Sequence, residues 1–76
     1  MKRNASEFLW AFVHAGSGAN MDFAKRVATL VNDDALLDEH QQEFVLKVVQ
    51  QGADSVNYVE ITGRQMLIAN FINSCH

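Results

Sequence analysis

Proline is missing from this sequence, and cysteine occurs once, at Cys75. With no proline, no low-complexity tract and no internal repeat, nothing divides the 76 residues, which are read as a single domain over 1–76. A chain this short buries only about 60% of its unfolded surface, so its stability needs help from a disulfide, a metal, tight helix packing or self-association. One cysteine excludes an internal disulfide. A lone thiol fits a reducing compartment, so a cytoplasmic location is expected. Cys75 itself reads as the last apolar position of a helix rather than as a redox group.

Long apolar runs are also missing. None approaches the ~20 residues of a spanning helix, and the stretch after the basic Met1-Lys2-Arg3-Asn4 start is broken by Glu7 and His14. It lacks a small-residue cleavage pattern, so neither a signal peptide nor a membrane association is expected. Positive charge is scarce: the net charge is -3, and the six Lys and Arg residues are scattered as Lys2-Arg3, Lys25-Arg26, Lys47 and Arg64. That distribution argues against a general affinity for nucleic acid.

Catalytic and metal-binding groupings are absent by spacing. The histidines His14, His40 and His76 and the one thiol lack the paired close spacings of a structural zinc site, and adjacent Cys75 and His76 point in divergent directions. Ser17, within Gly16-Ser17-Gly18, has neither a preceding strand nor a local base and reads as part of a loop. No enzymatic activity, metal or cofactor is expected.

What the sequence does have is helical periodicity. Ala5, Phe8, Leu9 and Phe12, widened by Val13, predict a first helix from about Ser6 to Ala15, with Ser6 or Asn4 as cap and a left-handed Gly16 as stop. Phe23, Ala24, Val27, Leu30 and Val31 predict a second, capped by Asn20 or Asp22, with Lys25, Arg26 and Thr29 pointing outward. Asn32-Asp33-Asp34 reads as a break, the alternative being that Asp34 caps a short turn containing Ala35, Leu36 and Leu37. Asp38 and Gln41 have the spacing of a capping box, and Phe44, Val45, Val48 and Val49 give the third helix its apolar face as far as Gly52. Residues 53–61 are rich in strand formers, but one strand has no partner here, so a short helical turn or irregular segment is favoured. Thr62 and Gln65 repeat the cap spacing before Leu67, Ile68, Phe71, Ile72 and Cys75, the predicted inner face of a fourth helix. The fold class is therefore all-α, a compact bundle or orthogonal array of about four helices.

Surface features then carry the functional reading. Trp10 sits at the flank of the first apolar stripe, where it closes the core edge or, with His14 one turn on, forms a recognition patch. Asp33, Asp34, Asp38, Glu39 and Glu43 make an acidic stretch suited to a helix start or to docking on a basic groove. Val13, Leu36, Leu46, Met66 and Ile68 lie beside the main stripes, a surplus of apolar surface that fits a homodimer or a partner-binding face.

The expectation is a small non-enzymatic interaction protein that regulates or inhibits another protein by occupying its surface, with homodimerisation as a further form of contact. Its size and acidity suggest, by analogy, an origin on a phage or plasmid. Trp10, His14 and Tyr58 are the expected contact residues, with Asp33, Asp34, Asp38 and Glu39 as a docking edge. The alternative is a DNA-binding regulator with a helix-turn-helix over residues 43–64, whose second helix would present Asn57, Tyr58, Glu60 and Arg64. Its fit is loose, because Val48 stands where a small residue usually lets the helices approach, and Gly63 weakens the second helix.

Overall fold

The chain begins by pairing with its own middle. In the computed structural model, which describes residues 1–16 and 18–75, β1 (Arg3–Asn4) lies antiparallel to β2 (Leu36–Leu37), with Arg3 opposite Leu37 and Asn4 opposite Leu36. The expected turn at Leu36 and Leu37 is thus a short strand. Its partner lies more than thirty positions away in sequence and could not be found from local pattern. The amide N–H of Ala5 extends the pairing by donating to the Ala35 carbonyl at 2.9 Å. Ser17 and His76 lie outside the described residues, and so do the loop and divergence readings made for them.

Among the described residues four helices follow from these anchors: α1 (Ala5–Ala15), α2 (Gly18–Leu30), α3 (Glu39–Gln51) and α4 (Tyr58–Asn73). The fold is all-α with a minor two-stranded sheet. Asn4 starts α1: its side-chain oxygen accepts from the Glu7 N–H at 3.1 Å while its amide donates to the Asp33 carbonyl at 2.6 Å. Gly16 ends α1 in an extended conformation (φ -89°, ψ 178°), not the left-handed one expected. The left-handed residue is Gly18 (φ 67°), which opens α2, so the chain reverses at the second glycine. Because α2 already begins there, Asn20 and Asp22 lie within the helix rather than capping it.

Asp38 and Gln41 form the expected capping box, with both reciprocal bonds at 2.8 Å. A hydrophobic staple from Leu37 would need an apolar residue where Gln42 stands. Instead, the Gln42 amide donates to the carbonyls of Leu37 (2.9 Å) and Met1 (3.2 Å), fixing the entry to α3 by hydrogen bonds.

The start of α4 corrects the sequence reading. Asn57, not Thr62, is its cap, accepting from the N–H groups of Val59 and Glu60 at 2.9 and 3.2 Å. Residues 53–57 are irregular and the helix takes over at Tyr58, so Gly63 falls in its interior and Thr62 in its second turn. At its other end α4 is fastened to α2 by one side chain. The Asn73 carboxamide donates to the Leu30 carbonyl (3.1 Å) and accepts from the Asn32 N–H (2.6 Å), satisfying groups that the end of α2 leaves free.

The core is a single cluster in which Leu9 and Val13 of α1, Phe23 and Val27 of α2, Leu37 of β2, Val45 and Val49 of α3, and Ile68 and Ile72 of α4 are buried. Trp10, Phe8 and Phe12 pack against its edge, half-buried, so Trp10 closes the core flank. The radius of gyration, 11.3 Å, matches the ~11 Å of a well-packed chain of this length. Apolar groups left outside are therefore not the result of loose packing.

Candidate functional site

Most of the exposed apolar surface lies on α4 and the side of α3 that faces it. Three of the helices have one apolar face and one polar face, but α4 is apolar nearly all round. It buries Gln65, Ile68, Ala69 and Ile72, while Val59, Met66, Leu67 and Phe71 are exposed. Leu67, expected inside, is 72% exposed, and Phe44 of α3, expected on the core face, is 49% exposed. A helix that is apolar on every side is ordinarily covered on every side, which makes the outer face of α4 unusual for a solvent-facing surface.

Between α3 and α4 this surface dips into a cleft. Its apolar end, about 230 Å³, is lined by Phe44, Val48, Leu67, Ile68 and Phe71, with Arg64 at the margin. The other end, about 440 Å³, is lined by Val48, Gln51, Gly52, Asp54 and Arg64. Val48 and Arg64 border both, so the two ends adjoin. The Phe44 and Phe71 rings meet across it, centroids 5.1 Å apart and tilted by 59°, within the range of favourable aromatic contact.

Arg64 is held rather than free to search for a ligand. Its guanidinium donates to Glu60 at 2.7 Å, one turn earlier on α4, and the Ser55 hydroxyl donates to the other Glu60 oxygen at 2.9 Å. The Ser55 hydrogen bond, followed by the charge and hydrogen bond of Arg64, holds the Glu60 carboxyl below its ordinary pKa. The lining thus offers apolar contact, a neutralised ion pair and the Asp54 carboxylate. Among the described residues no group of three or more His, Cys, Asp or Glu is placed to hold a metal ion, and no helix is long and apolar enough to cross a membrane.

The residues singled out from sequence fall elsewhere. Trp10 and His14 lie together on α1, ring centroids 6.4 Å apart, with His14 exposed. Asp33 and Asp34 are exposed in the turn before β2. Asp38 is half-buried and committed to the α3 cap, and Glu39 pairs with the Met1 ammonium at 2.9 Å. Tyr58, 81% exposed, opens α4 seven residues before the buried Gln65, on the inward side of the helix and not on its outer face. Over the helix-turn-helix segment 43–64, α4 runs nine residues beyond Arg64, and that residue, its only cation, is the one bound by Glu60. Phe44, Leu67 and Phe71 were missed as surface groups. The signal for them in the sequence is the width of the apolar arc in α4, to which Met66 also belongs.

Comparisons with protein-family models, with curated proteins and with solved structures find no match to this chain.

Proposed function

We propose that this protein is a non-enzymatic interaction module, an accessory regulator or inhibitor that works by occupying another protein's surface through the apolar cleft between α3 and α4. The observation that carries the reading is the contiguous exposure of Phe44, Leu67 and Phe71 in a chain whose core is otherwise closed. Covering such groups on binding releases ~25 cal/mol per Å² of apolar area, and aromatic side chains are favoured anchors in such contacts. The exposed carboxylates Asp33 and Asp34, the Trp10–His14 pair and Tyr58 are secondary contacts in this reading, giving orientation more than affinity.

A photo-crosslinking residue at position 44, compared with one at the exposed Lys25 of α2, tests the proposal in the cells that express the protein. Adducts at position 44 that map to one segment of one other protein, and are not formed from position 25, are the expected result. Adducts scattered over many proteins, or equal yields from both positions, would overturn the reading.

A further inference from the structure

We infer that the outer ridge of α4 is the contact surface of a homodimer, α4 of one copy lying antiparallel across α4 of the other. The inference rests on the interaction reading above: a second copy and the other protein both use Leu67 and Phe71, so the dimer is the form of the free chain and gives way when the other protein binds.

The ridge is self-complementary. Val59, Gly63, Leu67 and Phe71 follow one another at four-residue spacing on the exposed side of α4. Run against its own reverse, this row sets Leu67 opposite Gly63 of the second copy, twice, and Val59 opposite Phe71, twice, as the two-fold symmetry of an isologous contact requires. Rows at four-residue spacing are also the ridges that interdigitate in the commonest helix crossing, at about -50°. Gly63 supplies the recess. It is exposed, and a Cβ built on it meets nothing within 4 Å, so the space above it is open for a leucine to fill.

Charge on the ridge permits a second copy. The chain carries -3 overall, so two copies repel each other wherever acidic surfaces meet. On the ridge the only charged groups are Glu60 and Arg64, which neutralise one another at 2.7 Å. The antiparallel register sets Glu60 against Asn70 and Arg64 against Met66, with no like charges opposed. Area agrees as well. Val59, Met66, Leu67 and Phe71 expose on the order of 400 Å², and the polar flank of Glu60, Arg64 and Asn70 brings the patch near the ~600 Å² per partner of the smaller specific interfaces. Self-association is also one of the few supports open to a 76-residue chain without a disulfide.

Sedimentation equilibrium on the purified full chain tests the inference, alongside the variants Gly63→Gln and Leu67→Glu. Both positions are exposed, and a residue other than glycine strengthens the helix, so circular dichroism should show each variant folded. The expected result is a wild-type mass of twice the 8.5 kDa chain at ~50 µM, with the dimer dissociation constant raised at least ~10-fold in each variant. A wild-type protein still monomeric at ~1 mM, or a dimer that survives either substitution, would overturn it. The two readings fail separately. A monomer that still crosslinks to another protein through position 44 sinks the dimer alone, and a dimer with no such adduct sinks the regulator alone.

Discussion

Gly52 packs against the outer end of the Phe23 ring, so closely that a Cβ at position 52 would lie 2.5 Å from the ring atoms Cε1 and Cζ. Phe23 is 1% exposed and among the largest side chains in the core, so it has little room to move aside. The glycine at the end of α3 is therefore required by the close approach of α2, beyond its part in stopping the helix. Gly52→Ala should destabilise the protein by about 1–3 kcal/mol, as overpacking of a dense core does, read as a lower urea midpoint at an unchanged slope. An unchanged midpoint would mean that Phe23 rotates away freely.

Asp38 presents a different case, because sequence offered it both as a cap and as part of a docking edge. With its carboxylate accepting from the Gln41 N–H at 2.8 Å and its own N–H donating to the Gln41 side-chain oxygen at 2.8 Å, Asp38→Ala should cost about 1 kcal/mol of stability. Asp38→Asn keeps an acceptor at the same place and should recover most of that loss. A thermal melt of the two variants checks the pair. Equal losses would show that charge at the helix start, rather than the cap bond, supplies the stabilisation.

The difference between α3 and α4 explains how much was legible in the sequence. α3 has a narrow apolar stripe, a capping box and a terminal glycine, so its start, end and buried residues Val45 and Val49 followed from spacing. In α4, Val59, Ile61, Met66, Leu67, Ile68, Phe71 and Ile72 surround the axis, so periodicity could not choose which of them face inward. Leu67 and Phe71 were accordingly assigned to the core, and the surface they form went unseen. The pairing of Arg3–Asn4 with Leu36–Leu37 was beyond reach for another reason, since it is a tertiary contact with no local turn signal.

The start of α4 can be tested by setting Asn57 against Thr62. Asn57→Ala removes the acceptor for the Val59 and Glu60 amides, and should cost about 1 kcal/mol and speed hydrogen exchange at those two N–H groups. Thr62→Ala leaves them untouched and slightly favours an interior helical position. If Thr62→Ala were instead the variant that frayed the first turn, the helix would begin at the later cap that its spacing with Gln65 suggests.

Glu60 links that same turn to pH. Its carboxyl is held below the ordinary value in the folded chain by Ser55 and then by Arg64, so the stabilisation it gives is present above the unfolded carboxylate pKa. It is lost as pH falls through the lower folded value. A side-chain NMR titration should therefore show Glu60 titrating below an unfolded glutamate, and Ser55→Ala should raise its midpoint. Because this carboxylate is exposed, the change is best read at the residue and not in global stability. A midpoint in Ser55→Ala identical to that of the parent chain would remove the hydroxyl from the account.

Cys75 titrates in the opposite sense. The thiol is 6% exposed, and its sulfur donates to the Phe71 carbonyl at 3.3 Å. Burial raises its pKa, the nearby Asp38 charge adds to the rise, and Lys2 opposes it. The thiolate is the reactive form, so alkylation at pH 8 should be at least ~10-fold slower in the folded chain than in denaturant. A raised folded value means that the neutral thiol is the form the fold favours. Its contribution is thus complete below the unfolded thiol pKa and disappears as pH climbs through the folded one. Cys75→Ser should flatten that alkaline loss of stability, measured as urea midpoints from pH 7 to 10. Rapid alkylation of the native chain at the unfolded rate would instead show that the end of α4 opens readily, freeing the sulfur from the Phe71 carbonyl.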